Sequence, residues 1–479
     1  MVQQVSAVVR TQAEMIEELG RLGQGIQRQD LIQRGGTALC IPNSMTLEQA
    51  AQAIHDMAVY EEETASFIRR FNYRPYDGAH AVLKVMERVF GGFRGVETPG
   101  LFSDTPPLML SIDIAHDKTM QVPWGTIEVP ALPGTRMMLN KTDTEFGKVF
   151  MLTVSSLRKW SAKIEGLFIL VEEELRNNSI YRGHAINSEE DPGFIDLDVV
   201  SKQAVVYNDR VASQLEANIW SGIRHTKAME EAGLPTRRSV MLTGKYGNGK
   251  TLAIMLTAKV AVDNGWTFIL TRPGDDLKEA MHTAQLYEPA VLAVEDIDQI
   301  AGVDSDTDTS ELLDVMDGMS AKGRRIICIC TTNHPERIHQ GMLRPGRLDA
   351  VIEFGPLDEA GLRTLVDVNL ATEVRGTIDY AKVYEAMTGF EPAFMKEAID
   401  RSKRYGLVRG NGKLGRIETS DLVSAAGDMK VQLDMMEKAG EEATPRDTMS
   451  DLLREEVLVP ALAGMKHIWH TGDVPQEYK

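Results

Sequence analysis

Apolar positions recur at helical spacing over residues 14–22 and 47–71, with Pro42-Asn43-Ser44 between them, so the first 70 residues are expected to be helical. Thr46, followed three residues later by Gln49, predicts a capping box at the start of the second helix. The pattern then changes. Pro75 and Gly78 interrupt it, a helix-type run covers 79–90 and stops at Gly91-Gly92, and short β-type segments follow at 108–114, 126–129, 136–139 and 149–154. Residues 166–171, within 157–175, fit strand or helix equally. From 194 to 356 short apolar runs alternate with helix-length runs, the pattern of a parallel α/β core. Beyond Pro356 the period is helical, over 358–368, 380–387, 392–404 and 419–436. Residues 441–445 read as a linker, and an amphipathic helix is expected over 448–465.

These shifts divide the chain into five expected segments: a helical 1–70, an α+β domain over 71–193, a large α/β domain over 194–356, a small helical domain over 357–436, and a C-terminal linker and helix over 437–479. At 479 residues, several domains are the prior. The net charge of −18 argues against a broad nucleic-acid-binding surface. Of the three cysteines, Cys328 and Cys330 lie in an apolar Ile-Ile-Cys-Ile-Cys run, which points to core packing rather than a metal site. Reduced thiols, no apolar run of membrane-spanning length and no signal-peptide pattern lead to the expectation of a cytoplasmic protein without a membrane partner. Asp113, His116 and Asp117 read as a surface turn, and the acidic stretch 304–311 as a solvated loop without calcium-loop spacing.

The chemistry concentrates between 244 and 349. Residues 244–251, Gly-Lys-Tyr-Gly-Asn-Gly-Lys-Thr, satisfy the phosphate-binding pattern G-x-x-x-x-G-K-[ST] between an apolar run (Ser239-Val240-Met241-Leu242-Thr243) and a helix-type run over 252–260. Glycines there let the backbone curl so that successive N–H groups face phosphate oxygens, and the following helix adds the positive end of its dipole. The expected ATP contacts are Gly244, Gly247, Asn248, Gly249, Lys250, Thr251 and Leu252, with Lys250 on the β- and γ-phosphates and Thr251 on Mg2+. Residues 290–298, Ala-Val-Leu-Ala-Val-Glu-Asp-Ile-Asp, are an apolar strand ending in two acids. Glu295 is expected in the Mg2+ shell, directly or through water, and Asp296 on the attacking water.

Residues 326–349 run from an apolar strand through Thr332-Asn333 to Leu343-Arg344-Pro345-Gly346-Arg347-Leu348-Asp349. This stretch resembles the second region of homology of AAA ATPases. The resemblance covers roughly 210–430, including a partial match of 387–394 to an element of the AAA small domain and of 232–238 to the segment approaching the phosphate loop. It implies a P-loop AAA+ core with a helical lid, ATP and Mg2+ as cofactors, and a homo-oligomeric ring, expected to be a hexamer. It also implies that Asn333 orients the water and that Arg344 and Arg347 reach a neighbouring protomer's nucleotide. Guanidinium groups suit that task because they are permanently charged and grip phosphate bidentately.

Two departures refine the resemblance. Only residues 272–289 separate the second core strand from the acidic strand, and 272–277 carry no aromatic residue where threading relatives place one. The short connection, the Glu-Asp order and the Gly-Leu-Pro-x-Arg-Arg approach at 233–238 are similar to the AAA subgroup that includes the mitochondrial translocase of the folded Rieske protein, here without its membrane anchor. The implied function is protein remodelling, as chaperone or assembly factor, with a client on the 71–193 domain and no aromatic pore-loop threading. The alternative is a nucleic-acid motor or loader, for which the sequence offers only the small basic clusters Lys403-Arg404 and Lys413 with Arg416.

Overall fold

The computed structural model describes residues 31–442 apart from 35–36, 41–45, 98–105, 145–146, 199–205, 301–323, 339–340, 343, 345–346 and 373. The expected helices at 14–22 and 448–465 and the acidic loop 304–311 lie outside the described residues.

The described residues fall into two compact units: one within Met1–Gln203, Ser213–Gly244 and Lys250–Glu353, the other within Ala204–Ala212, Lys245–Gly249 and Phe354–Lys479. The first described elements of this unit are the antiparallel pair β1 (Leu31–Arg34) and β2 (Thr37–Cys40), where helix was expected. Helix α1 (Leu47–Glu62) then begins with the predicted capping box, Gln49 N donating to Thr46 Oγ1 at 3.2 Å and Thr46 N to Gln49 Oε1 at 2.9 Å.

The expected helix over 47–71 stops early. Its last turn holds Glu61 and Glu62 and no basic residue, which opposes the helix dipole. Residues Thr64–Phe71 instead form strand β3, in which Ala65, Phe67, Arg69 and Phe71 turn inward and the residues between them are exposed.

Strand β3 is the edge of an antiparallel sheet ordered β3-β8-β7-β6-β4, comprising β8 (Gly147–Leu157), β7 (Arg136–Thr144), β6 (Lys118–Glu128) and β4 (Arg94–Gly95). Strand β5 (Leu108–Ala115) pairs with β6 across a two-residue turn at His116 and Asp117, the surface turn expected there. Helices α2 (Pro75–Val85) and α3 (Ser161–Asn177) pack against this sheet. The ambiguous 166–171 is therefore helix, burying Leu167, Phe168 and Val171 on one face.

The second sheet is fully parallel and ordered β14-β10-β13-β12-β11-β9. Its strands are β9 (Ala185–Asn187), β10 (Arg238–Thr243), β11 (Thr267–Thr271), β12 (Ala290–Val294), β13 (Ile326–Thr332) and β14 (Ala350–Glu353). β11, β12 and β13 are buried along their whole length, as a sheet covered on both faces requires. Cys328 and Cys330 are buried free thiols in β13, consistent with core packing. Edge strand β9 extends this sheet back past Asp191-Pro192-Gly193, where the sequence suggested a domain boundary. A three-residue strand is too short to carry a readable period, and one apolar core runs from Phe71 and Phe150 through to Ile269 and Leu292.

The second unit is helical. Glu359–Asn369, Tyr380–Ala386, Pro392–Arg409 and Thr419–Glu442 gather Leu362, Phe390, Ile399, Leu422 and Met429 into their own core. Among the described residues no helix is long and apolar enough to cross a membrane.

Candidate functional site

In an open parallel sheet, ligands bind beyond the carboxyl ends of the strands. There β10 runs into the glycine loop, β12 into Glu295-Asp296 and β13 into Asn333. Because β13 lies between β10 and β12, its terminal residue is placed between the other two strands' chemistry.

The helix after the loop, α4 (Lys250–Asp263), starts at the predicted lysine. Gly244, Gly247 and Gly249 have φ of 141°, 84° and 87°, values that side-chain-bearing residues rarely adopt, so the three glycines are required by the backbone path. Lys250 is only 6% exposed. Its Nζ donates to Gly244 O at 2.5 Å and to Asn333 Oδ1 at 2.7 Å. The Asn333 amide in turn donates to Asp296 Oδ1 at 2.9 Å. Ammonium, amide and carboxylate thus form one chain of charge-assisted hydrogen bonds.

Asp296 has φ of 47°, the left-handed region, which costs roughly 1 kcal/mol for a residue with a side chain. The conformation is held at both ends: Asp296 N donates to Thr331 Oγ1 at 3.0 Å, and its carboxylate is held by Asn333. Thr332 Oγ1 donates to Asp298 Oδ1 at 2.7 Å and accepts from His334 N at 2.9 Å, bracing the β13 end that presents Asn333. The sequence motifs give Thr331 and Asp298 no role and include Thr332 only beside Asn333; the Thr-Thr-Asn run is the signal that marks the threonines.

Glu295 is half-buried with its amide on Thr271 O at 3.3 Å, Thr251 is exposed in the first turn of α4, and Leu252 is half-buried. A hydroxyl and a carboxylate are the hard oxygen donors Mg2+ takes. Among the described residues no three His, Cys, Asp or Glu side chains gather as a metal cage. A magnesium ion held by Thr251 and Glu295 would complete its shell with phosphate oxygens and water, as Mg2+ does beside one or two protein ligands.

In the helical unit, Asn248 Nδ2 donates to Phe354 O at 3.1 Å, and Ala393 N donates to Gly247 O at 3.0 Å. A Cβ on Gly247 would sit 3.1 Å from that of Ala393. Tyr207, which sequence reasoning missed, donates its hydroxyl to Gly249 O at 3.2 Å and packs edge-on against Phe354. Burial pushes this phenol well above its ordinary pKa, so it stays a neutral donor.

Arg344 and Arg347 lie in the turn after Pro335–Arg337. Arg344 is exposed, and its carbonyl accepts from Arg347 N at 3.1 Å; Arg347 is half-buried and donates Nη1 to Gly341 O at 3.2 Å. The geometry unites Gly244, Lys250, Asn333 and Asp296, and Arg344 and Arg347 are joined to each other across a turn.

The sheet order and the lysine–asparagine–aspartate chain at the strand ends are the arrangement the sequence led one to expect of a P-loop core. Residues 240–356 match the family described as "ATPase family associated with various cellular activities (AAA)", so the chain carries an AAA ATPase domain. It is similar to Protein SAV of Sulfolobus acidocaldarius, 26% identical over 207 residues, covering 39% of this chain and 26% of that protein. It is also similar to the proteasome-activating nucleotidase of Methanocaldococcus jannaschii, 28% identical over 250 residues, covering 47% of this chain and 55% of the relative. The cell division cycle protein 48 homolog of Archaeoglobus fulgidus is 26% identical over 204 residues, 39% of this chain and 28% of the relative. The chain thus spans about a quarter to a half of the length of these relatives.

Proposed function

We propose that the protein is a ring-forming ATPase that couples ATP hydrolysis to remodelling of a protein client. The observation that carries this reading is the hydrogen-bonded chain Lys250–Asn333–Asp296 at the ends of three adjacent parallel strands. In this reading the loop amides and Lys250 hold the β- and γ-phosphates, Asn333 places the attacking water, and Asp296 draws its proton. Mg2+ on Thr251 and Glu295 would neutralise phosphate charge. Arg344 and Arg347 of one protomer face the nucleotide of the next, so assembly and hydrolysis depend on each other; a hexamer is the expected ring. Relatives bearing the names proteasome-activating nucleotidase and cell division cycle protein 48 homolog support a protein-remodelling role.

The finer assignment also belongs to this proposal. The short 272–289 connection and the Glu295-Asp296 order favour a relative of the Rieske-protein translocases, acting as chaperone or assembly factor without aromatic threading. The client site is assigned to the antiparallel sheet domain of 71–193.

The test is steady-state phosphate release with Mg2+ and ATP across a range of protein concentrations. Lys250→Ala should lose nucleotide binding. Arg347→Ala should bind ATP yet hydrolyse it about 10³-fold more slowly, the scale of an arginine acting in trans. Wild-type protein that releases no phosphate sinks the ATPase reading; full activity of Arg347→Ala as a dilute monomer sinks the shared site.

A further inference from the structure

A buried polar clasp joins the N-terminal sheet domain to the connection that leads into β12. Arg74, at the start of α2, is 1% exposed. Its guanidinium reaches helix α5 (Leu277–Leu286), donating Nη1 to Glu279 Oε1 at 2.5 Å and Nη2 to Thr283 Oγ1 at 2.5 Å. Its backbone N donates to the Tyr287 hydroxyl at 3.1 Å. That hydroxyl donates to Asp77 Oδ2 at 3.2 Å, and Asp77 also accepts from Ser179 Oγ at 2.7 Å and Ile180 N at 3.0 Å. Tyr287 and Asp77 are fully buried.

On its other side the Tyr287 carbonyl accepts from Thr267 Oγ1 at 2.7 Å, and Thr267 Oγ1 accepts from Gly183 N at 3.0 Å. Tyr287 lies three residues before β12, the strand that runs into Glu295-Asp296. Contact is close elsewhere along α5 too: a Cβ on Gly147, in the β7–β8 hairpin, would fall 2.3 Å from Glu279 Oε1. A tethered client domain would meet its neighbour through a small, solvated interface. This junction instead commits the buried Arg74 guanidinium, the buried Asp77 and the half-buried Glu279, and charge is costly to bury unless its partners stay fixed.

We propose that Arg74, Asp77 and Tyr287 are positioning residues of the ATPase reaction. They fix the α5–β12 joint from the N-terminal side, so that β12 presents Glu295 and Asp296 to the nucleotide in register. The inference rests on the ATPase reading above. It makes the N-terminal sheet domain part of the catalytic unit and the connection after β11 a coupling element.

The test uses the full chain. Tyr287→Phe keeps the ring and removes the hydroxyl that both Arg74 and Asp77 use; Arg74→Met keeps the stem and removes the charge. Both should lower kcat at least tenfold, at a temperature where circular dichroism shows them folded, with the dissociation constant of a fluorescent ATP analogue within about threefold of wild type. A clasp that only stabilises the fold would lower Tm and leave kcat within twofold, which overturns the proposal. Hydrogen exchange on the wild type is a second readout independent of any variant. Adding a non-hydrolysable ATP analogue should change protection in peptides spanning 74–80 and 277–287 together; no change in either, with the analogue bound, also overturns it. Wild type that fails to bind ATP would instead refute the ATPase reading.

Discussion

Asn333 offers the sharpest test of the site, because one amide serves two charged partners. Its Oδ1 accepts from Lys250 at 2.7 Å and its Nδ2 donates to Asp296 at 2.9 Å. Replacing Asn333 by Ala removes both bonds at once while leaving strand β13 and the threonines that brace it. A hydrogen bond to a charged group is worth about 1.5–3 kcal/mol. If one such bond is lost specifically from the transition state, at about 1.4 kcal/mol per tenfold the rate of hydrolysis falls by roughly 10- to 200-fold. Loss of both would exceed that only if each is stronger in the transition state than in the ground state.

Asn333→Asp separates the two roles. The carboxylate still accepts from Lys250, but it sets a second acidic oxygen against Asp296 Oδ1, where the native amide donates. Two carboxylates at that separation cannot both ionise freely, so the pH at which hydrolysis is half-maximal should move up. The assay is phosphate release from about pH 5.5 to 9 beside binding of a fluorescent ATP analogue. Asn333→Ala with kcat within about threefold of wild type, and bound nucleotide in both, would refute the bridging role. An unshifted pH profile in Asn333→Asp would refute the assigned proximity to the reacting base.

Two further predictions concern stability. Gly78→Ala would help an exposed helix by about 1 kcal/mol, but in α2 the new Cβ would lie 2.0 Å from Phe150 Cγ, inside the core. Overpacking, typically about 1–3 kcal/mol, outweighs the helix gain, so Tm should fall; a rise in Tm would show that the α2–β8 packing is wrong. Burial, the dominant cause, raises the Asp77 carboxyl from 3.8 to about 6 against the lowering effect of its three hydrogen-bond donors and Arg182. Its folded pKa exceeds its unfolded one, so between about pH 4 and 6 the unfolded chain ionises first and stability declines as pH rises. The total is on the order of 3 kcal/mol, all lost above about pH 6. Asp77→Asn should remove this decline, and Tm-versus-pH curves that run parallel for the two proteins across that window would contradict it.

How much of this was legible in the sequence depended on distance along the chain. The phosphate loop, the acidic strand end and Thr332-Asn333 are contiguous motifs, and the helices of the second unit follow a plain period; all can be read directly. Strand β3 escapes such a reading because it continues an amphipathic helix without a proline or glycine between them, and only its alternating burial separates the two. Tyr207 stands 42 positions before Gly249, the loop residue whose carbonyl accepts its hydroxyl. No local pattern marks that tyrosine, and only the folded chain creates the contact.

The clasp shows why the rest stayed hidden. Arg74 and Asp77 flank a helix start, where charged residues ordinarily mean a solvated first turn and favourable contact with the helix dipole. Their partners Glu279, Thr283 and Tyr287 lie more than 200 residues away, on and just beyond a helix whose own pattern also reads as amphipathic. Two unremarkable polar faces become one buried network only when the parallel sheet sets α5 beside α2. A residue-by-residue reading therefore takes the 71–193 segment as a domain of its own, whereas its apolar core continues into the parallel sheet. If the clasp positions β12 as proposed, polar residues that no sequence motif marks are the ones through which the N-terminal domain and the nucleotide site act on each other.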